Sequence, residues 1–210
     1  GNVNITGAMY QDIYGSDDGL VLYLPFSEGM TSSSASTAYD RSPWGNDGTA
    51  NNMPMPTRNA TSGESGWATT SDKCKVPGCM TFDGSNDYVS VADNSTLSMG
   101  NGNFTAEVWV KYLTIPTGDR TFLSRFDTGG AYSNYEMYFG DFGANVGARW
   151  TVGVSDWRTL NSSFAPATST WYYFVLTHDN GTMRWYTNGV QTSFSSSGGS
   201  SYRSLSIASP

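Results

Sequence analysis

The chain is predicted to be all β, an antiparallel β-sandwich of two sheets, and three observations carry that reading. Several runs alternate apolar and polar residues with period two, the clearest being Phe104 to Val110, Trp171 to Thr177 and Tyr88 to Val91. The 24 glycines, helped by Asn, Ser and Asp, separate these runs into short segments of strand length. No window places apolar residues at sustained helical spacing.

Residues Gly1 to Asp18 form a polar preface with one strand-like run, Val3 to Tyr10. The core is expected to begin at Leu20-Val21-Leu22-Tyr23-Leu24-Pro25-Phe26, so that residues 19–210 form one domain behind an extension of residues 1–18. Thr31 to Thr37 is a Ser/Thr tract of loop character, and Asn46 to Lys73 holds few apolar residues. Within Thr81 to Val91, Asp83-Gly84-Ser85-Asn86-Asp87 stands between two apolar runs, the pattern of a β-hairpin. Strands are expected at Cys79–Asp83, Tyr88–Ala92, Phe104–Tyr112, Thr121–Phe126, Tyr135–Phe142, Arg149–Val154, Trp171–His178 and Met183–Phe194. In the third of these, Phe104, Ala106, Val108 and Val110 share the face that enters the core, leaving Thr105, Glu107 and Trp109 on the other. His178, with no nucleophile beside it, reads as a strand surface residue.

Charge bounds the partners. A net charge of −7, with 11 Lys and Arg scattered singly, offers no positive stripe for a phosphate backbone, so nucleic acid is excluded as a partner. No apolar run approaches the roughly 20 residues of a transmembrane segment, and the first residues lack a charged-then-apolar export signal.

Two features point outside the cell. Cys74 and Cys79 are the only cysteines, and the Pro77-Gly78 turn between them brings their sulfurs together as a disulfide. The alternatives are two free thiols or half of a zinc site, and the latter lacks ligands because His178 is the sole histidine. Asn-x-Ser/Thr sequons stand at Asn4, Asn59, Asn94, Asn103, Asn161 and Asn180, sites for glycosylation in a host that has the machinery.

A sugar-binding surface needs aromatic planes and a few polar groups to read hydroxyls. Trp109, Trp150 and Trp157 have the polar neighbours Glu107, Arg149, Asp156 and Arg158, and the segment from Arg149-Trp150 to Asp156-Trp157-Arg158 is the densest such cluster. The candidate ligand-binding set is therefore Trp109, Arg149, Trp150, Asp156, Trp157 and Arg158.

The ordered elements Gly19 to Gly29, Tyr39 to Thr49, Met80 to Val89, Asn103 to Lys111, Trp171 to Asp179 and Arg184 to Val190 resemble the laminin-G-like jelly roll of the concanavalin A-like lectin/glucanase superfamily. The resemblance implies a non-catalytic extracellular carbohydrate-binding or adhesion module, with a glycan or cell-surface polysaccharide as partner. It also implies one structural calcium ion near the loop of Asp40, Asn46 and Asp47, which equally has the residues of a plain turn. Glucanases of the superfamily carry paired carboxylates on one strand, Glu-x-Asp-x-x-Glu; none of Glu28, Glu64, Glu107 and Glu136 has an acidic residue two positions away, so no enzyme is expected. Members end on a strand of the type Gly-x-Ile-Asp-Glu-Val-x-Ile-Tyr, whereas this chain ends at Leu205-Ser206-Ile207-Ala208-Ser209-Pro210. Either the sequence is a fragment, or Val3 to Tyr10 fills the vacant edge in its own chain or in a neighbour. The second case would make the chain a structural subunit of an extracellular filament, sheath or viral fibre that self-assembles through its N-terminal strand.

Overall fold

The computed structural model describes residues 19–30, 36–53, 65–69, 73–76, 78–99, 102–116, 118, 120–125, 135–139, 145–151, 157–180, 182–197 and 206–207. The expected strand Val3 to Tyr10 therefore lies outside the described residues. Tertiary contacts divide the chain into two compact units, residues 1–97 and 98–210.

The first unit is built from short strands. β1 (Thr37–Ala38), β2 (Gly48–Asn51) and β5 (Tyr88–Val91) form one antiparallel sheet in that order, while β3 (Gly66–Ala68) pairs with β4 (Cys79–Thr81). Single 3-10 turns stand at Glu28–Met30 and Ser95–Leu97. Trp67 is fully buried and lies against the first of these turns, where a Cβ on Gly29 would come within 2.3 Å of the Trp67 side chain. Cys74 and Cys79 are joined by a disulfide with a Cα separation of 5.5 Å, closing the loop before β4.

The hairpin expected at Thr81 to Val91 is not formed. β4 pairs with β3, and β5 pairs with β2, so the segment is a corner between two sheets. Its side chains explain the difference. Asp83 Oδ1 accepts the Ser85 N–H at 2.7 Å and Asp87 Oδ2 accepts the Asp83 N–H at 2.8 Å. A turn closed by its own carboxylates leaves the flanking strands without the two-residue geometry that would pair them.

The second unit is a sandwich of two sheets. One contains β6 (Phe104–Lys111), β11 (Trp171–Asp179), β12 (Thr182–Thr187) and β13 (Val190–Gln191) in the order β13-β12-β11-β6, with β15 (Ser206–Ile207) parallel to β12. The other contains β7 (Arg120–Arg125), β8 (Tyr135–Phe139), β9 (Val146–Thr151), β10 (Trp157–Ser162) and β14 (Phe194–Ser197) in the order β14-β10-β9-β8-β7. The expected run Met183–Phe194 is broken at Asn188-Gly189, where positive φ at both residues makes the type I′ turn that joins β12 to β13. β10 was not anticipated, because its apolar content is low, with only Trp157 and Leu160 among its six residues.

Period-two alternation decides what fills the space between these sheets. Tyr172, Phe174, Leu176 and His178 of β11 are buried, as are Met183 and Trp185 of β12, and Ala106, Val108 and Val110 of β6 pack against them. Tyr135, Met137, Phe139, Val146, Ala148 and Leu160 come from the facing sheet. Phe174 stacks on Tyr172 (5.8 Å) and on Phe122 of the facing sheet (5.8 Å), and leans on Trp185 (5.3 Å). Phe164 meets Phe174 edge-on at 6.2 Å. His178 is not a surface residue. It is 2% exposed, because position 178 shares the inward parity of Phe174 and Leu176; its Nδ1 lies 2.8 Å from the Gly102 carbonyl oxygen and its ring stacks on Phe104.

Phe174→Ala removes the ring on which four aromatic contacts converge. It is expected to lower the unfolding free energy by about 3–5 kcal/mol, read as a reduced urea midpoint at unchanged m-value.

Candidate functional site

The face of β6, β11 and β12 turned away from the facing sheet carries an aromatic surface. Cross-strand register sets Tyr173 opposite Trp109, Trp171 opposite Lys111 and Val175 opposite Glu107. The Trp109 and Tyr173 rings stack at 5.0 Å with 23° between their planes, and Trp109 remains 43% exposed. The Tyr173 hydroxyl donates to the Glu107 carboxylate, and the Lys111 ammonium sits 5.1 Å over the Trp171 ring.

The turn after β12 fixes this pair. The Asn188 side-chain oxygen accepts the Tyr173 N–H at 2.9 Å, while the Asn188 N–H donates to the Tyr173 carbonyl at 2.9 Å. Tyr173 is thereby held on the side of the ladder where β12 has already ended. Burial first, then the hydrogen bond and charge of Glu107, push the Tyr173 phenol up to about 12, so it stays a neutral donor at any ordinary pH.

The face of the second sheet turned away from the core carries a buried polar ladder. Glu136 accepts from the Thr121 hydroxyl and pairs with Arg149 at 3.3 Å; the Arg149 guanidinium lies 4.5 Å over the Tyr138 ring; and the Tyr138 hydroxyl donates to Asn161 Oδ1 at 2.8 Å. A Cβ on Gly147 would fall 2.9 Å from the Tyr138 ring, so glycine is what lets that ring cross β9 toward β10. Glu136 is only 6% exposed and Tyr138 1%, and both are engaged within the ladder.

The candidate ligand-binding residues thus divide. Trp109 stands on one outward face and Arg149 on the other. Register sets Trp150 opposite both Tyr135 and Arg158, and Trp157 opposite Thr151, so the two segments of the Arg149 to Arg158 cluster are neighbouring strands. Asp156 lies outside the described residues. Tyr173, Trp171, Lys111 and Asn188 were missed, because joining them to Trp109 requires the β6–β11 register and the end of β12. The alternation Trp171-x-Tyr173 on a strand facing Trp109-x-Lys111 was the available signal.

Glu107 and Glu136 lie on opposite sides of the core, Glu107 exposed and Glu136 buried. Sheets pack about 10 Å apart, beyond the roughly 5 Å that a retaining pair needs.

In the first unit, Asp40 closes a loop. Its Oδ1 accepts the N–H groups of Tyr23 (2.8 Å) and Ser42 (2.9 Å), and its Oδ2 accepts the Ser42 hydroxyl (2.6 Å) and the Asn46 N–H (2.7 Å). Asp47 Oδ1 accepts the Asp40 N–H, and the Asn46 amide donates to the Val21 carbonyl and the Thr96 hydroxyl. As a calcium shell this set does not fit. A carboxylate offers about four acceptor positions, and protein donors fill them on Asp40. Among the described residues no three His, Cys, Asp or Glu side chains converge as a metal site.

Of the sequons, Asn4 and Asn59 lie outside the described residues. Asn103 and Asn180 are exposed and both donate to Asp179 Oδ1, Asn94 Oδ1 accepts the Thr96 N–H, and half-buried Asn161 holds Tyr138.

Burial acts to raise the Asp40 pKa, but the Ser42 hydroxyl and the three backbone N–H groups outweigh it and hold the carboxyl below its usual 3.8. A depressed carboxyl pKa stabilises the fold above its ordinary value, and that contribution is lost as pH falls through the depressed one. Asp40→Asn is therefore expected to lower the melting temperature at pH 7, with the gap from wild type closing as pH falls through the depressed carboxyl pKa. Millimolar calcium is expected to leave the wild-type melt unchanged.

A family model described as the concanavalin A-like lectin/glucanases superfamily matches residues 83–207. Comparison with curated proteins and with solved structures gave no significant match. The all-β architecture, the antiparallel sandwich of the second unit and a match covering more than half of the sequence agree, and the chain belongs to the concanavalin A-like lectin/glucanase superfamily.

Proposed function

We propose that this chain is a non-catalytic carbohydrate-binding or adhesion module that acts outside the cell. The observation that carries the reading is the outward Trp109–Tyr173 pair, stacked in advance and flanked by Glu107. Sugar rings present apolar C–H faces edged by hydroxyls, and a fixed aromatic plane beside a carboxylate answers both features. The rings are already ordered by stacking on each other and by the Tyr173 hydrogen bond to Glu107, so little side-chain entropy remains to be lost on binding.

Superfamily membership supports a lectin-like role, and the separation of Glu107 from Glu136 supports a binding rather than a hydrolytic one. The Cys74–Cys79 disulfide supports an oxidising compartment. Among the described residues no helix is long and apolar enough to cross a membrane.

A glycan array probed with the full chain tests the reading. Against the best glycan found, Trp109→Ala is expected to weaken binding about 30-fold, the scale of a central aromatic anchor. Tyr173→Phe keeps the stack but frees Glu107 and is expected to cost less. Equal binding by wild type and Trp109→Ala, at matched urea midpoints, would remove this face from the site.

A further inference from the structure

We propose that the Trp109–Tyr173 face binds a run of at least three consecutive sugar units laid along β6, a proposal that rests on the carbohydrate-binding reading above. Trp109 stacks on the middle unit, and Lys111 and Glu107 read the hydroxyls of the units on either side. Glu107, Trp109 and Lys111 alternate onto one face of β6 and so stand in line. Each neighbour is two residues from Trp109, about 6–7 Å along the strand, and the three span about 13 Å. That is longer than one pyranose ring.

The stacked pair sets the direction. Tyr173 lies against one face of Trp109 at 5.0 Å, so a sugar takes the ring surface that Tyr173 leaves open on a residue 43% exposed. Across the sheet from Trp109, the position is occupied by Tyr173 itself. A chain continuing from the stacked sugar therefore runs along β6, where it meets Lys111 at one end and Glu107 at the other.

Both flanking side chains are held before a ligand arrives. The Lys111 ammonium sits 5.1 Å over Trp171, the residue opposite it on β11, and the Glu107 carboxylate accepts from the Tyr173 hydroxyl. An ammonium carries three donors, and a carboxylate has about four acceptor positions, of which the phenol takes one. One end of the site donates and the other accepts. Sugar hydroxyls do both, so successive units of one chain satisfy both ends.

The shape of the surface makes length necessary. Sites for single small molecules are concave and enclose about 70–90% of the ligand surface. A sheet face touches a sugar on one side only, so a single unit on Trp109 gains little, and affinity accumulates as added units reach partners already fixed in place.

Isothermal titration calorimetry tests this with manno-, cello- and galacto-oligosaccharides of one, two, three and six units. The proteins are full chains of wild type, Trp109→Ala, Lys111→Met and Glu107→Leu, at matched urea midpoints. At least one series is expected to bind wild type, with affinity rising at least about tenfold from one unit to three and changing less from three to six. Lys111→Met and Glu107→Leu are each expected to weaken the three-unit ligand about tenfold, Lys111→Arg and Glu107→Gln to restore it in part, and Trp109→Ala to weaken every length. Equal affinity for one unit and six, lost in Trp109→Ala, would overturn the chain-length proposal while leaving the carbohydrate-binding reading intact. A rise with length that neither Lys111→Met nor Glu107→Leu reduces would place the outer units elsewhere and overturn the proposal alone. No binding in any series would overturn both.

Discussion

The second unit depends on the seating of Phe174. Its ring stacks on Tyr172 and Phe122 and leans on Trp185, joining two strands of one sheet to the sheet that faces it. Once that ring is seated, the parity of β11 is determined, since a shift of one residue would move every side chain to the other face. The same choice that buries Tyr172, Leu176 and His178 turns Trp171 and Tyr173 outward, and the β6 register then brings Trp109 and Lys111 beside them. Core and candidate site are two consequences of one alternation.

Much of this was legible in the sequence. The alternation in Phe104 to Val110 identifies the inward face of β6 correctly, and the run Trp171 to His178 reads plainly as a strand. Position 178 differs: with no nucleophile beside it His178 reads as a surface residue, while in the fold the Gly102 carbonyl supplies the partner that lets an imidazole be buried. The Thr81 to Val91 segment misled for a related reason. Its turn residues were recognised, but whether the flanking strands pair with each other depends on how Asp83 and Asp87 spend their carboxylates. Local chemistry indicates that a chain turns, and tertiary partners determine what it turns toward.

The site was half visible. Tryptophan with polar neighbours picks out Trp109, which the fold leaves exposed, yet groups that residue with Arg149 from a different sheet. Sequence proximity to polar residues does not report on which outward face a strand contributes, and only the order of strands in each sheet separates the two groups. The acidic loop shows a similar limit. Asp40, Asn46 and Asp47 have the side chains of a cation site, but the backbone N–H groups that converge on Asp40 come partly from Tyr23, 17 residues away, and no local pattern announces them.

The division of labour along β11 also bears on how such a domain can diversify. Its buried positions are committed to the packing around Phe174, whereas Trp171, Tyr173, Val175 and Thr177 point away from that packing. Changes at the outward positions, and at Thr105, Glu107 and Trp109 opposite them, leave the interior volume untouched. The chemistry of the outward face can drift across generations of sequences without disturbing the packing beneath it, so the fold serves as a display surface whose display can be rewritten.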